Sequence, residues 1–316
     1  MDKVNKPFFS VVIPVFNKEL YIQKTIQSVL DQTFKNFELI LVIDPCTDRT
    51  VDIVKSFNDE RIHILNRETP GPGGYAARNL GIKMAKADWI AFQDADDIWY
   101  PHHLQTLHDG IITMTDLNVF ATGYETLIGN IRKPNSFWKR FNRNGDAIIE
   151  LNNFLLYRPI CSINVAVKKS IFNLAGDFPA GRVNRGGDHE TWLRIMTVEK
   201  KMYWLNTITA VYNKNAEGSV TKSINYYTEN HPIRLKVLEL LDNDAFIDLA
   251  LELKRHSNNF IIPGIKNKIK NGSLNKSDVS ALFWDAYQNK IELYFFYFFS
   301  LLPHAFQIFF SKVFKN

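Results

Sequence analysis

Trp89-Ile90-Ala91-Phe92-Gln93-Asp94-Ala95-Asp96-Asp97 decides how this chain is read, because four apolar residues run without a break into three carboxylates. A short continuous apolar run bounded by polar residues fits a strand covered on both faces. Acids at the end of such a strand lie on the carboxyl edge of the sheet, where open parallel sheets bind their ligands.

Working back from it, Phe8 to Pro14 is a β-branched run closed by proline, and Glu19 to Gln32 spaces Ile22, Ile26, Val29 and Leu30 as a helix. Phe37 to Ile43 is a second strand, followed by helical spacing over Thr47 to Phe57, and Ile62 to Leu65 is a third. Gly73 to Ala87 then reads as a helix after a Gly/Pro turn. Strands alternating with helices predict an α/β fold with a mostly parallel sheet flanked by helices. Residues 8–97 are the expected nucleotide-binding half.

Working forward, 98–224 is the expected acceptor half. It holds a helix near His102 to Thr115, a strand near Val119 to Thr122, a polar, basic loop over Ile131 to Gly145, and an apolar stretch from Ile163 to Val167. A loop from Gly176 to Gly187 leads to a helix over Asp188 to Glu199. From about Asn225 the periodicity is helical, so 225–316 is expected to be a helical C-terminal extension to a domain of residues 1–224.

Of the chain's 316 residues, 46% are hydrophobic, enough for a large core at about 100 to 200 residues per domain. The formal charge of +5 gathers in the tail: from Lys254 onward nine Lys or Arg face three Asp or Glu, which leaves −1 for the first 253 residues. Basic residues form no arm interleaved with aromatics, which argues against nucleic acid. Two cysteines, Cys46 and Cys161, make no disulfide framework, and Met1 to Pro7 carries no apolar leader. A cytoplasmic location is the expectation.

Ile291 to Phe310 is strongly aromatic but contains Glu292, Pro303, His304 and Gln307, which argues against a spanning helix of roughly 20 apolar residues. An interfacial helix meeting anionic lipid through Lys312, Lys315 and upstream lysines is expected, with peripheral attachment through 290–316 at the inner face of the cell membrane. A buried core or dimer helix and a true span are the other readings.

Along an extended segment Asp94 and Asp96 point the same way, and two converging carboxylates repel unless a cation lies between them. A hard divalent ion, Mn²⁺ or Mg²⁺, would supply that charge and bridge to a diphosphate. The plainer reading is an acidic cap before Ile98 and Trp99. Asp44, ending the second strand, suits a base imide N–H or a ribose hydroxyl, or simply opens the Asp44-Pro45 turn. Gly71-Pro72-Gly73-Gly74-Tyr75-Ala76 matches a dinucleotide fingerprint, but that fingerprint normally closes the first strand, here Pro14-Val15-Phe16-Asn17. Arg78 in the helix that follows can still place a cation beside a nucleotide. Asp188, after Gly186-Gly187, is a candidate general base or a helix cap.

Taken together, the segments Val11 to Asn17, Glu38 to Asp44 with Thr47-Asp48, Ala77-Arg78-Asn79 with Gly81, Asp94 to Asp97, and Gly187-Asp188 with Trp192-Leu193-Arg194 resemble the family-2 inverting glycosyltransferases of the GT-A fold. The likeness runs from residue 8 to about 213. It implies a donor-nucleotide site at Pro14, Phe16, Asn17, Asp44, Arg78, Asp94 and Ala95. It also implies metal binding at Asp96, of the Asp-x-Asp type, and a catalytic base at Asp188. The implied reaction moves a sugar from a nucleoside-diphosphate sugar, expected to be a UDP-sugar, to a glycan or lipid-linked acceptor hydroxyl in polysaccharide biosynthesis.

Three departures stand out. Ile43-Asp44 replaces the family's common acidic pair and Pro45-Cys46 its Gly-Ser, Gly187-Asp188 stands for Glu-Asp, and Asn213 to Asn215 replace an Arg and a His near Tyr212. They leave room for a catalytically degenerate nucleotide-binding or scaffold module of the same fold. A dehydrogenase is the remaining reading, and it would need the Gly71 loop to bind NAD.

Overall fold

The computed structural model describes residues 6–141, 145–217 and 228–313. The extreme N-terminus, part of the basic loop before Gly145, the expected boundary at 224–225 and Lys315 lie outside them. The described residues form two compact units, one on each side of the 218–227 segment.

In the first unit, β1 (Phe9–Val15), β2 (Phe37–Ile43), β3 (Ile62–Asn66) and β4 (Trp89–Phe92) alternate with α1 (Ile22–Leu30), α2 (Thr50–Lys55) and α3 (Tyr75–Met84). All seven residues of β2 and all four of β4 are buried, as their unbroken apolar sequence requires of strands covered on both faces. β3, exposed at alternate positions, ends the sheet. Pairing in this half is parallel throughout, in the order β3-β2-β1-β4, so the carboxyl ends of all four strands fall on one edge.

The remainder continues the same sheet. It comprises β5 (Ile98–Trp99), α4 (His103–Thr113), β6 (Val119–Ile128), β7 (Ile131–Pro134), α5 (Ser136–Phe141), β8 (Ala147–Glu150), α6 (Leu151–Tyr157), β9 (Val165–Lys168), α7 (Ile171–Ala175), α8 (Gly187–Glu199) and β10 (Lys201–Asn213). β9 pairs antiparallel with both β4 and β6, while β10 runs parallel to β6. This is a mostly parallel, helix-flanked α/β sheet of GT-A type.

Several elements differ from their expected bounds. The segment expected as a polar loop over 131–145 instead forms β7, an antiparallel hairpin strand on β6, and then α5. Its basic residues hid a short edge strand, where exposed charge is ordinary. The helix expected from Gly73 starts at Tyr75, since Gly73 and Gly74 sit at φ 70° and 68° in a tight turn over Pro72–Gly74.

The second unit is helical, with Pro232–Leu241, Ala250–Lys270, Lys276–Ser280, Lys290–Leu301 and His304–Val313. It has its own apolar cluster, in which Ile261, Ile265, Leu293, Phe296 and Phe299 meet. No described helix is long and apolar enough to cross a membrane.

Candidate active site

Parallel pairing of β1 with β2 and with β4 sets three strand ends side by side, and nearly every residue singled out in the sequence follows one of them. Pro14, the last residue but one of β1, is half-buried, and Phe16, just after the strand, is exposed. Asn17 turns the chain at φ 48°, a left-handed conformation that Asn tolerates better than most residues. Its Oδ1 accepts from the Thr47 N–H at 2.8 Å and its Nδ2 donates to Thr47 Oγ1 at 3.2 Å. Asn17 thereby ties the end of β1 to the turn after β2.

Asp44, at the end of β2, is buried. Its Oδ1 pairs with Arg67, and its Oδ2 accepts from the Gly71 N–H at 3.2 Å. Arg67 went unnoticed in the sequence because it lies one residue past β3 in no motif. Parallel pairing of β2 and β3 through Ile43 and Asn66 is what brings it to Asp44.

The two left-handed glycines lead into α3, whose buried Arg78 donates to the Gly73 carbonyl at 2.9 Å and pairs with Asp94 Oδ1. Phe178 lies beneath the guanidinium, 5.6 Å from its ring centre. Burial disfavours the Arg78 charge, but the Asp94 and Asp188 carboxylates outweigh it and raise its pKa. Asp94 is itself held above the usual carboxylate range, first by burial and then by Asp96, with Arg78 opposing. A dinucleotide loop would leave its backbone N–H groups free for a pyrophosphate, whereas here the Gly71 N–H is already bonded to Asp44.

Asp96 receives Lys18 Nζ at 2.8 Å, and the same ammonium donates to the Glu217 carbonyl at 3.2 Å. Ala95 is buried, and its carbonyl accepts from Thr25 Oγ1 at 3.1 Å. Asp97 is fully buried with Oδ1 accepting from the Asn213 N–H at 2.6 Å, while Oδ2 lacks a partner. Burial, then Asp96 and Asp94, push the Asp97 carboxyl well up, so it serves the structure rather than solvent.

Among the described residues no three His, Cys, Asp or Glu side chains converge as a metal cage. Two all-oxygen carboxylates, Asp94 and Asp96, do fit a Mg²⁺ or Mn²⁺ that takes its other ligands from water and substrate phosphates. They do not fit an ion held by protein alone.

Asp188 stands in the first turn of α8, where the helix dipole favours an anion. An aromatic cluster brings this helix to β4: Trp192 meets Phe92 at 5.6 Å and Phe178 at 5.4 Å between ring centres. Gly187 makes the approach possible, since a Cβ there would come within 2.5 Å of Pro179 and 2.9 Å of the Tyr75 ring. The Gly187 N–H donates to the Tyr75 hydroxyl at 2.9 Å. Burial works to raise the Asp188 pKa, but His189, Arg78 and backbone N–H groups outweigh it and hold the carboxyl below the usual range. Asp188, Arg78 and Asp94 therefore share one field, with Asp96 beside Asp94 and Asp44 two strands away at the end of β2, across β1. Cys46 and Cys161 are free thiols, raised chiefly by burial, and neither is poised as a nucleophile.

A parallel β3-β2-β1-β4 sheet with carboxylates and two arginines, Arg67 and Arg78, gathered on its carboxyl edge defines a GT-A-type α/β protein. The chain belongs to glycosyl transferase family 2, whose model matches residues 10–172. It is 36% identical over 233 residues to glycosyltransferase GlyG of Streptococcus pneumoniae, covering 68% of this chain and 73% of that one. It is 40% identical over 102 residues to the putative teichuronic acid biosynthesis glycosyltransferase TuaG of Bacillus subtilis, covering 32% and 40%. An uncharacterized glycosyltransferase of Haemophilus influenzae is 38% identical over 96 residues, and that match spans 38% of its length. The fold is shared with S. aureus TarS 1-349, solved in complex with UDP-GlcNAc, at TM-score 0.74 and 20% identity over 92% of this chain and 88% of that one.

Proposed function

We propose that this protein is an inverting glycosyltransferase that moves a sugar from a UDP-sugar to a hydroxyl of a glycan or lipid-linked acceptor in bacterial polysaccharide synthesis. The observation that carries the reading is the convergence of Asp188, Arg78 and Asp94 at one sheet edge, where His189, Arg78 and backbone N–H groups outweigh burial and keep Asp188 ionised. An ionised carboxylate with lowered pKa is equipped to take a proton rather than to give one. The UDP-GlcNAc in the TarS structure and the teichuronic acid named for TuaG support the donor and product classes.

In this reaction Asp188 removes the acceptor hydroxyl proton as that oxygen attacks the anomeric carbon. The oxygen–carbon bond forms while the bond from that carbon to the diphosphate oxygen breaks, and UDP leaves from the opposite face with the electron pair. Arg78 holds Asp94 and the Gly73 carbonyl in place around the donor. Asp44, fixed by Arg67 and Gly71, offers its remaining lone pairs to the base or ribose. Asp96, with Asp94, would hold Mn²⁺ or Mg²⁺, which would supply positive charge to offset that of the departing diphosphate. The reaction is placed at the cytoplasmic face of the cell membrane, where lipid-linked acceptors are available.

The test is release of UDP from a panel of UDP-sugars with and without Mn²⁺. Metal-dependent release with one or a few sugars, reduced about a hundredfold or more by Asp188→Asn and by Asp96→Asn in folded protein, is the expected outcome. Full turnover by either variant removes the role given to that residue. The internal pairing of Asp44 with Arg67 and of Asp96 with Lys18 favours one alternative, a degenerate module that binds nucleotide without transfer. That reading predicts UDP binding by calorimetry with no release from any donor.

A further inference from the structure

The last described helix, His304–Val313, is turned inside out. Its polar Gln307 and Ser311 are buried, while Phe306, Ile308, Phe309 and Phe310 face outward, Phe309 with 63% of its surface exposed. A surface helix normally buries its apolar stripe and shows its polar one. Gln307 fixes the reversal: its Oε1 accepts from the Leu274 N–H at 3.1 Å, and its Nε2 donates to the carbonyls of Leu274 at 2.9 Å and Leu302 at 3.0 Å. His304 Nδ1 adds a contact of 2.6 Å to the Gly272 carbonyl. Rolling the helix to hide its phenylalanines would leave these buried polar groups unpaired.

The preceding helix, Lys290–Leu301, divides its residues between two faces. Leu293, Phe296 and Phe299 enter the cluster formed with Ile261 and Ile265. Ile291, Tyr294, Phe295, Phe298 and Leu301 recur every three or four residues on the other face, with Ile291 84% and Phe298 64% exposed. Two consecutive helices thus present aromatic faces to solvent, and such a surface marks something apolar that covers it.

Charge identifies the cover. The turn that receives Gln307 and His304 is flanked by Lys270 and Lys276, both exposed, and Lys290 opens the other helix. No Asp or Glu follows Glu292 in the sequence, whereas Lys312 and Lys315 do. Phenylalanine and tyrosine beside lysine, with the neighbouring acids Glu292 and Asp278 already paired to Lys266 and Lys268, complement the interfacial layer of an anionic bilayer. Neither helix is long and apolar enough to cross it.

We propose that helices 290–301 and 304–313 form a membrane-docking surface, with Phe298, Phe306 and Phe309 seated among the acyl-chain ends and Lys270, Lys276 and Lys290 at anionic lipid phosphates. Gln307 is the residue that holds the aromatic face outward. This supplies the partner for the membrane-face location proposed above and rests on it, yet it is read out without any catalysis.

The experiment is flotation of the full chain with phosphatidylcholine vesicles, with and without phosphatidylglycerol. Co-flotation with the anionic vesicles, weakened by salt and by about fivefold for each of Lys270→Glu and Lys276→Glu, is expected. Phe298→Glu with Phe309→Glu should reduce it about tenfold or more. Phe309→Trp should gain a blue-shifted emission on anionic vesicles that brominated acyl chains quench. UDP release from a soluble donor, measured alongside, should be unchanged in the double variant. Flotation of the double variant equal to the parent overturns the proposal. So does a parent that stays with solvent and forms a dimer which the double variant lacks, because the face then belongs to a second copy. Absence of UDP release from every chain sinks the transferase reading and leaves flotation to decide this one.

Discussion

Asp188 has its pKa lowered by His189, Arg78 and backbone N–H groups against the pull of burial, so a base role makes a definite demand on pH. The carboxylate is already ionised through the physiological range, and activity should not fall through its protonation between about pH 5 and about pH 8. Asp188→Asn keeps the shape and removes the acceptor of the proton, with an expected loss in kcat of about 10²–10⁴ and little change in donor binding. Single-turnover sugar transfer beside UDP calorimetry separates the two quantities. Equal losses in binding and turnover would make Asp188 a structural cap.

A second residue, far from any motif, carries its own pH signature. His103 is fully buried, stacked on Trp99 at 4.0 Å, with Nδ1 2.7 Å from Thr209 Oγ1 and Nε2 unpaired. Burial first, and the neighbouring His102 second, push its pKa well below the ordinary 6.5. The unfolded chain then binds the proton that the native chain refuses, so this contribution to stability is present above pH 6.5 and is lost as pH falls below it. Its slope is at most about 1.4 kcal/mol per pH unit. His103→Phe preserves the stack on Trp99 and leaves Thr209 bonded to Thr122. Melting temperatures from about pH 7.5 to about pH 5 should fall less steeply in that variant, and parallel curves would remove His103 as the source.

At the level of elements, Lys18 shows what sequence patterning leaves out. Its ammonium sits between Asp96, at the end of β4, and the Glu217 carbonyl beyond β10, positions 78 and 199 residues away along the chain. Nothing local in Asn17-Lys18-Glu19 announces that, because the pairing exists only once β1 and β4 lie side by side. The acids themselves were legible, since each follows an apolar strand. What the sequence withheld was their partners: Lys18 for Asp96, Arg67 for Asp44 and Arg78 for Asp94. Strand existence was likewise legible in the fully buried β2 and β4, whereas the edge elements β7 and α5 were hidden by charge that solvent tolerates.

The Lys18 contact leads to a prediction for the metal proposed at Asp96. A cation and an ammonium compete for one carboxylate, so Lys18→Met should bind Mn²⁺ more tightly in the absence of nucleotide, on the order of tenfold. With UDP present the gap should narrow, because diphosphate oxygens supply the missing ligands in both proteins. Electron paramagnetic resonance titration of free Mn²⁺ reads this without any turnover. Identical titrations for parent and variant would show that Lys18 does not guard Asp96.

At the scale of the whole molecule, each of the two units packs apolar residues of its own. The first includes a core built from β1, β2 and β4 with α1 and α4, and the second one built from the helices 250–270, 290–301 and their neighbours. Each core pays for the ordering of its own chain, and a ligand that binds one native unit stabilises only what unfolds with it. Every residue proposed to touch donor or metal lies in the first unit. UDP with Mn²⁺ at about 100 times Kd should contribute ~2.7 kcal/mol to that unit, a rise in its midpoint of about 5–10 °C for a domain of this size. Scanning calorimetry of the full chain should therefore show two transitions, of which UDP and Mn²⁺ move one and anionic vesicles move the other. A single transition that shifts as a whole would mean that the two cores unfold as one cooperative body. In that case the tail helices belong to the stability of the catalytic fold, and substitutions such as Phe298→Glu would have to be judged against the same melting curve.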